Sequence, residues 1–353
     1  EFSEDAIVRV EVVDNVETAG ISLWPINDIP AEIVKHQTLA VDTVSGVTMT
    51  SRAILTAVED CVEQAGGDPG ALQAPPALDP VPTEYTADVV IVGGGGAGLS
   101  AANAAAEAGA SVVIVEKAGV LGGNSVVAGG IYNAADPELQ ATVEMTDAYR
   151  EEIGAALAEG PVNDVHAEIQ QKLQEEYDAY LASGSATLFD SPEWHALQTW
   201  IGGDRVGRLE LIYTLTSNAL DGLEWVEGMG YEIQDRIGQG SGSLYPRTHF
   251  SVLPNTWGII KAFIENLETY DNVTIVYETT ANELIMEDGR VTGVKAAAKD
   301  GTEVTFSVSN AVILATGGFA GNVEMRQEYC EGEKWPGLGP SLNTTNVASV
   351  TGD

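Results

Sequence analysis

Residues 87–118 constrain the fold of this chain more than any other stretch. Residues 89–92 form a short unbroken apolar run, as a strand buried on both faces requires. Three glycines follow it in the spacing G-x-G-x-x-G: Gly93, Gly95 and Gly98. The Ala-rich residues 99–108 then predict a helix, and residues 111–115 predict a second buried strand. Together these segments predict a βαβ unit.

This pattern is typical of a dinucleotide site. The glycines serve a tight turn, a close approach of backbone to a pyrophosphate, and helix–strand packing, while the helix N-terminus favours the phosphates. Glu116 follows Gly98 by 18 residues, near the spacing of about 20 at which a carboxylate accepts hydrogen bonds from the ribose. The alternative, a glycine-rich turn in an unrelated α/β protein, leaves Glu116 unexplained. The expected contacts are Gly93, Gly95, Ala97, Gly98, Glu116 and Lys117.

Composition restricts the classes of partner. The chain has 353 residues, with 16 Lys plus Arg against 53 Asp plus Glu, so its formal net charge is −37. A field of this sign repels nucleic acid and anionic membrane surfaces, and no apolar run reaches the length of about 18 residues that a membrane span needs. The two cysteines, Cys61 and Cys330, form no haem, zinc or disulfide pattern. We therefore expect neither nucleic acid, nor a membrane span, nor a metal site, in a chain of two or three domains.

The N-terminal stretch leads through a hydroxyl-rich loop into a helix. Residues 5–14 partly alternate apolar and polar side chains and predict a half-exposed strand. The loop covers residues 42–51, and Gly66 and Gly67 end the helix that follows. The apolar positions of that helix recur at helical spacing: Ile54, Leu55, Val58, Cys61, Val62 and Ala65. Helix capping, worth about 1 kcal/mol, explains one hydroxyl of this loop and not the others.

The loop sequence Asp-x-x-Ser-Gly-x-Thr over residues 42–48 resembles the flavin-attachment signature of small FMN-binding domains. The likeness extends over residues 5–66, and in that family a flavin transferase esterifies the FMN phosphate to the last threonine. The resemblance therefore implies covalent FMN on Thr48, with Ser45 and Gly46 beside it. Val47 stands where the family usually has Ala, which leaves the acceptor hydroxyl in place.

A second glycine cluster at residues 122–130 reads Gly-Gly-Asn-Ser and then Ala-Gly-Gly. Here the chain resembles the fumarate reductase and urocanate reductase flavoproteins, which join an FAD fold to a mobile cap. Such flavoproteins need these glycines because backbone passes close to the ribityl chain and the isoalloxazine ring. The resemblance implies non-covalent FAD, with further contacts from Gly123, Asn124, Ser125, Gly129, Gly130, Thr316, Gly317, Gly318 and Asp353.

The implied architecture is α/β: an FAD-binding Rossmann-like domain of the glutathione-reductase type with an inserted α+β capping domain, preceded by a small α+β FMN-binding domain. The expected boundaries are 1–67 for the FMN-binding domain, 68–83 for a Pro-rich linker, 84–135 and 251–353 for the two parts of the FAD domain, and 136–250 for the cap. The strands expected after residue 272 cover residues 273–277, 283–287, 290–296 and 302–308, with a return strand from residue 310 that ends at Thr316.

The capping segment offers few candidates for chemistry. An amphipathic stripe predicts ordinary core packing at Ile212, Leu215, Ala219, Leu223 and Val226. Residues 238–250 predict a flexible Gly-rich loop, and in the family the corresponding loop closes the cap near the substrate. Its cations, Arg247 and His249, either face an anionic substrate or form a surface ion pair. The family's proton donor lies beyond Asp353, so no catalytic residue is assigned.

The family resemblance implies a reductase that acts on the C=C bond of a small α,β-unsaturated carboxylate similar to fumarate or urocanate. Electrons would pass from FMN to FAD to the substrate, while a general acid protonates the neighbouring carbon. The implied partners are a quinol-linked or flavin-carrying electron donor and the flavin transferase. Covalent FMN suits an extracytoplasmic enzyme of anaerobic respiration, whether secreted, cell-surface or periplasmic. Two alternatives stay open: a dehydrogenase or oxidase similar to ketosteroid dehydrogenase or aspartate oxidase, and a flavin electron-transfer protein.

Overall fold

A computed structural model describes most of the chain, which divides into two compact units. The first unit comprises Glu1–Ala128 and Phe263–Asp353, and the second comprises Gly129–Ala262. Within these bounds the described residues are 1–15, 23–41, 48–74, 82–240, 243–253, 255–319 and 322–330.

The first unit contains both helices and strands, whereas helices dominate the second. The strands are β1 Glu84–Val92, β2 Val112–Val115, β3 Ile131–Asn133, β4 Ile233–Gly238, β5 Thr248–Ser251, β6 Val273–Val276, β7 Thr279–Glu287, β8 Arg290–Ala298 and β9 Glu303–Leu314. The helices are α1 Leu23–His36, α2 Thr48–Gln64, α3 Gly96–Glu107, α4 Pro137–Gln140, α5 Asp147–Ala158, α6 Asp164–Ser183, α7 Pro192–Gly202, α8 Leu209–Ser217, α9 Ala219–Glu227, α10 Trp257–Leu267 and α11 Val323–Cys330.

Helices α1 and α2 form the core of the N-terminal residues. Their buried apolar side chains pack together, and Gly66, with φ of +85°, follows the end of α2 as predicted. The strand predicted over residues 5–14 is wrong for the described chain, where only an isolated bridge joins Phe2 to Ile7. The reason is that this segment has no neighbouring strand to pair with there, and Ile7, Val10 and Val12 pack on the helical core instead.

The beginning of the Pro-rich stretch contacts these helices. A short 3-10 helix covers Pro69–Leu72, and Leu72 packs against the α1–α2 core. The hydroxyl of Thr38 donates to the carbonyls of Leu72 and Ala74, at 2.9 and 2.6 Å. Residues 68–74 thus lie against the N-terminal helices, and residues 75–81 lie outside the described part of the chain.

A six-stranded sheet forms the core of the dinucleotide-fold region, with strand order β6-β2-β1-β9-β8-β7. The four strands β6, β2, β1 and β9 are parallel, as buried βαβ units require, and β7, β8 and β9 are antiparallel neighbours. The apolar runs of β1 and β2 are largely buried here, with Val90 and Ile114 at 0% exposure, whereas the run that ends β9 is partly exposed, with Leu314 at 60%. The α/β class expected from the sequence is confirmed.

The two strands predicted over residues 302–308 and from residue 310 are one continuous strand, β9. Residues 303–307 pair antiparallel with β8, while residues 305–314 pair parallel with β1. Since the pairing with β1 continues across both predicted halves, nothing breaks the strand between them. A register shift lies at the junction of the two halves, where Asp88 of β1 faces residues 309 and 310 of β9, between the pairs Ala87–Val308 and Val89–Ala311.

The second unit packs α4–α9 beside a small antiparallel sheet with strand order β3-β5-β4. Its core includes Leu173, Leu197 and Tyr245, each completely buried, together with Trp194 and Trp200. Side-chain caps begin each helix from α4 to α7; for example, Asn163 accepts from His166 N before α6, and Ser191 accepts from Trp194 N before α7.

The predicted stripe from Ile212 to Val226 is interrupted. Asn218, with φ of −115° and ψ of 6°, separates α8 from α9. Ala219, Leu223 and Val226 are buried as expected, but Leu215 is 67% exposed. The break changes the helical phase between the two helices, so Leu215 leaves the face that α9 buries.

Candidate functional site

A cavity of about 340 Å³ opens at the carboxyl ends of β1, β2 and β9, where ligands bind in open parallel sheets. The structure brings most of the predicted dinucleotide residues to this cavity: Gly93, Gly95, Ala97, Glu116, Lys117, Gly123, Asn124, Ser125, Thr316 and Gly317. The same cavity is also lined by residues that no motif indicated: Val92, Gly96, Val115, Thr279, Thr280, Ala281, Leu314 and Ala315.

The three glycines of the motif have different surroundings. Gly93 has φ of +102°, and a Cβ there would lie 2.5 Å from the carbonyl oxygen of Ala315. A Cβ at Gly98 would lie 1.8 Å from the carbonyl oxygen of Gly93. At Gly95 the nearest atom would be the carbonyl oxygen of Gly122, at 3.9 Å. Only at Gly95 does the missing side chain therefore leave open space in the cavity.

The second glycine cluster packs directly on the first. Gly122 N donates to the carbonyl of Gly94 at 2.8 Å, and an isolated parallel bridge joins Gly95 to Gly122. Gly96 N donates to the hydroxyl of Ser125 at 3.2 Å. Gly122 requires the left-handed region, with φ of +100°. The two clusters thus form one wall, which sequence spacing alone did not reveal.

The electrostatics of this wall suit an anion. Helix α3 begins at Gly96 with no side-chain cap from Gly95 and no acidic residue in its first turn. Apart from Gly96 N, which donates to Ser125, the backbone N–H groups of that turn and the positive end of the helix are left for a ligand, and diphosphates bind in this way. Lys117 adds a cation to the same cavity.

Glu116 connects the glycine loop to the segment that follows β2. Its side chain is buried, and its carboxylate accepts from Gly94 N at 2.7 Å and from Ala118 N at 2.8 Å, one bond at each oxygen. A carboxylate offers about four lone-pair sites, so each oxygen retains one for a ribose hydroxyl. The residue type and spacing of Glu116 therefore fit the expected role at the ribose end of a dinucleotide.

Residues 279–281 lie at the cavity because of tertiary contacts. Thr279 N donates to the carbonyl of Glu116 at 3.0 Å, and Glu278 N donates to the carbonyl of Ala118 at 3.1 Å. These bonds place the start of β7 beside the second strand of the βαβ unit. No local motif marks these residues, and strand order is the only signal that would have found them.

Several predicted contacts fall elsewhere. Gly98 is buried in α3 and serves packing, while Gly318 is exposed beyond β9. Gly129 and Gly130 belong to the second unit, where a Cβ at Gly130 would lie 2.1 Å from the carbonyl oxygen of Asn255. Asp353 lies outside the described residues, and so do Ser45 and Gly46. Whether these seven residues contact a flavin stays a prediction.

Thr48 is the first residue of α2, whose first turn carries no acidic residue. The N-terminus of a 17-residue helix places partial positive charge at this point, which suits the phosphate of an attached FMN. Thr48 thus lies at a helix N-terminus, and attachment of FMN to it stays a prediction.

Arg247 and His249 do not lie in a flexible surface loop. Arg247 is buried and forms two hydrogen bonds of 2.9 Å to the carboxylate of Asp190, and it donates to Gln198 at 2.8 Å. His249 is completely buried in β5, with Nε2 at 3.0 Å from Asp136 Oδ2. The surface ion pair expected from the sequence is a buried one, and contact of either residue with substrate stays a prediction.

Gln140 connects these two pairs. Its amide nitrogen donates to Asp190 at 2.8 Å, and its amide oxygen accepts from Asp136 N at 3.0 Å. The pKa of the nearby His195 is lowered to about 3, mainly by burial and to a lesser extent by the charge of Arg247. This imidazole is therefore neutral at physiological pH. The polar interior of the second unit is thus a continuous network that fixes the segment before β5.

Comparisons with known proteins agree with this site. A family model described as FAD dependent oxidoreductase matches residues 88–334, and one described as FMN-binding domain matches residues 1–63. The chain is 34% identical to the NADH:acrylate oxidoreductase of Vibrio harveyi over 100% of this chain and 37% of that protein. It is 30% identical to the urocanate reductase of Eggerthella lenta over 99% of this chain and 50% of that protein.

A solved structure supports the fold. The open conformation of a flavocytochrome c3 fumarate reductase matches with a TM-score of 0.52 and 25% identity, covering 69% of this chain and 36% of that one. The chain spans between about a third and a half of the length of these relatives. In the described part of the chain, no helix is long and apolar enough to cross a membrane. The chain belongs to the FAD-dependent oxidoreductase family and carries an FMN-binding domain at its N-terminus.

Proposed function

We propose that this protein reduces the C=C bond of a small α,β-unsaturated carboxylate. The observation that carries the proposal is the combination, in one chain, of an FMN-binding domain with an FAD-type cavity. Relatives with which the chain aligns over at least 99% of its length are an acrylate oxidoreductase and a urocanate reductase. The unit Gly129–Ala262 is, in this proposal, the capping domain.

The residues of the cavity would hold and orient the dinucleotide. The open space at Gly95 admits a diphosphate to the N-terminus of α3, where unpaired N–H groups and Lys117 offset its charge. Glu116 accepts from the ribose. When bound, FMN would accept electrons from a donor and FAD would deliver a hydride to the substrate carbon.

The proposal includes covalent FMN on Thr48, attached by a flavin transferase. Its support is the signature over residues 42–48 and the position of Thr48 at the start of α2. A tethered cofactor is retained where a dissociated one is lost, so we place the enzyme outside the cytoplasm, in anaerobic respiration. A quinol-linked or flavin-carrying protein is the proposed electron donor.

The substrate class is tested with the purified holoenzyme under anaerobic conditions. Oxidation of reduced methyl viologen is followed after addition of acrylate, urocanate or fumarate, with the saturated acid as control. We expect turnover with at least one unsaturated acid and none with its saturated product. No turnover with any of the three acids, together with dye reduction by a saturated substrate such as a ketosteroid, contradicts the proposal.

The attachment site is tested by mass spectrometry of the peptide that contains Thr48, from cells that possess the transferase. We expect the mass of FMN less water on this peptide, loss of the label in Thr48→Ala, and its retention in Thr50→Ala, two residues along the same helix. An unlabelled Thr48 peptide, or a label that survives Thr48→Ala, overturns the assignment of Thr48.

A further inference from the structure

One face of the small sheet β3-β5-β4 is only partly covered within the second unit. Ile131 of β3 lies opposite Phe250 of β5, so their side chains share this face, because residues directly opposite in an antiparallel pair point the same way. Ile131 is 38% exposed and Phe250 is half-buried, whereas His249 and Ile237, on the other face, are buried. The first face thus presents an apolar patch made by Ile131 and Phe250.

Two glycines border this patch. A Cβ at Gly238 would lie 3.3 Å from Cε2 of Phe250, and a Cβ at Gly240 would lie 2.7 Å from Cδ1 of Ile131. Side chains at these two positions would cover part of the patch. The glycines therefore leave Ile131 and Phe250 accessible from this side.

A cation is fixed over the patch. Arg236 lies where the register between β4 and β5 shifts. The central carbon of its guanidinium is 3.9 Å from the centroid of the Phe250 ring, a close cation–π contact. Its Nε donates to Gln234 Oε1 at 2.8 Å, and Gln234 Nε2 donates to the carbonyl of Ser251 at 2.8 Å. The ring and the amide thus hold the guanidinium from two sides.

The two terminal nitrogens of Arg236 have no protein partner in the described part of the chain. Neither forms a hydrogen bond or an ion pair there, although Asp plus Glu outnumber Lys plus Arg by 53 to 16. In the same unit, Arg205 and Arg247 are paired with carboxylates, at 2.7 and 2.9 Å. Arg236 therefore keeps the N–H donors of its terminal nitrogens on an oriented fork, whose geometry matches a carboxylate.

The surroundings of this fork select among anions. Phosphate presents only oxygen atoms, whereas a small organic acid also brings hydrocarbon, which gains from contact with Ile131 and Phe250. A conjugated acid is planar and lies flat against an apolar patch. The site therefore favours a carboxylate with a short apolar remainder, which is the substrate class of the proposed function.

We propose that Arg236 binds the carboxylate of the unsaturated acid, with the hydrocarbon part of the acid against Ile131 and Phe250. The identity of the acid rests on the proposed function, whereas the site rests on the contacts of this sheet face. Arg236 is a substrate-binding residue in this assignment. Gln234 acts through Arg236 and is a positioning residue.

The first test is equilibrium binding to the oxidised holoenzyme, which cannot reduce the acid without an electron donor. Saturation-transfer NMR titrations with acrylate, urocanate and fumarate give the Kd of each acid for the parent protein and its variants. We expect Arg236→Gln to raise the Kd about tenfold, since hydrogen bonds between charged groups are lost. Arg236→Lys should have an intermediate effect, because lysine keeps the charge and loses the fork.

Arg150→Gln is the matched control, since Arg150 also lies over an aromatic ring, that of Tyr180, at 5.7 Å. The variant loses the same charge, and we expect its Kd to stay within about twofold of the parent value. Inorganic phosphate at the concentration of the acid and constant ionic strength should not displace the acid. Equal Kd values in Arg236→Gln and Arg150→Gln overturn the inference. Displacement by phosphate also overturns it, and so does a parent protein that binds none of the three acids.

Turnover separates this inference from the proposed function. With reduced methyl viologen as donor, we expect Arg236→Gln to raise KM by more than it lowers kcat, as loss of uniform binding requires, while flavin absorbance shows retained FAD. Turnover by the parent with an unchanged KM in Arg236→Gln overturns the inference alone. Absence of turnover in the parent overturns the proposed function, and the Kd titration then decides whether Arg236 binds unsaturated acids.

Discussion

At the scale of single residues, the same residue type serves different purposes within one motif. A side chain at Gly93 or Gly98 would collide with protein backbone, at 2.5 and 1.8 Å respectively. A side chain at Gly95 would meet no protein atom closer than 3.9 Å and would project into the cavity. Gly93 and Gly98 are therefore required by the fold, whereas Gly95 is required by the ligand.

We predict that Gly95→Ala removes FAD and leaves the fold intact. The methyl group occupies space that the diphosphate needs, and overpacking of about 1 to 3 kcal/mol weakens binding roughly tenfold or more. Gly98→Ala should instead lower the thermal unfolding midpoint of the apoprotein. Flavin absorbance and the unfolding midpoint of the apoprotein measure the two effects. Gly154→Ala, a helical site with nothing within 4 Å, is the control, and full FAD retention by Gly95→Ala contradicts the assignment.

Asp88 illustrates how one carboxylate connects three strands. It accepts from the backbone N and hydroxyl of Ser111, at 2.9 and 2.7 Å, and from the hydroxyl of Ser309 at 2.7 Å. These hydrogen bonds lower the pKa of Asp88 to about 2, and the bond from Ser309 contributes most, followed by those from Ser111. The side chain thus lies at the register shift between β1 and β9 and also contacts the start of β2.

We predict an acid-dependent loss of stability at this residue. Because the folded pKa lies below the unfolded value of about 3.9, the contribution of Asp88 is present above about pH 4 and is lost as the pH falls through about 2. Asp88→Asn should be less stable than the parent protein at neutral pH and equally stable near pH 2. Urea unfolding at several pH values measures this, with the exposed Asp60→Asn as control. A constant difference across the range contradicts the prediction.

At the scale of elements, pairing and burial overrule local pattern. Two predicted strands are one because β1 pairs along both, and one predicted helical stripe is divided because Asn218 ends α8. The sequence of the segment before β5 predicts a flexible loop, yet the buried ion pair between Arg247 and Asp190 fixes this segment in the structure. The physical reason is that partners distant in sequence satisfy groups that would otherwise be solvated in a loop.

We predict that the ion pair between Arg247 and Asp190 contributes strongly to the stability of the second unit. Arg247→Met leaves the buried charge of Asp190 without its cationic partner and should destabilise the second unit by about 3 to 5 kcal/mol. The double variant Arg247→Met with Asp190→Asn should recover part of that loss. Tryptophan fluorescence during urea unfolding reports on this unit, since Trp194 and Trp200 lie in its core. Arg205→Met, in an exposed pair with Glu159, should cost less than about 1 kcal/mol, and equal losses at both arginines contradict the expectation.

At the scale of the whole molecule, charge is the dominant feature. A formal net charge of −37 disfavours the compact state through self-repulsion, which dissolved salt screens. The anionic ligands of the proposed function therefore need local positive groups, and the N-terminus of α3 with Lys117 supplies them at the cavity. The described chain shows how a locally positive site is built within an acidic protein.

We predict that salt stabilises this protein. Raising sodium chloride from about 0.01 M to about 0.5 M shortens the Debye length from about 30 Å to a few ångströms and weakens the repulsion. The thermal unfolding midpoint should rise across this range, most steeply at the low end. Equal ionic strengths of sodium chloride and potassium chloride should act alike, because screening depends on charge. A midpoint that falls or stays constant contradicts the prediction.

The sequence by itself determined the βαβ unit, its glycines, Glu116 and the α/β class, because residues close in the chain carry the signal for a strand, a turn and a helix. Tertiary structure alone decided that residues 279–281 line the same cavity, that Ser125 lies against Gly96, and that Arg247 and His249 are buried. These contacts join residues from about 30 to more than 160 positions apart, and only strand order and packing bring such residues together.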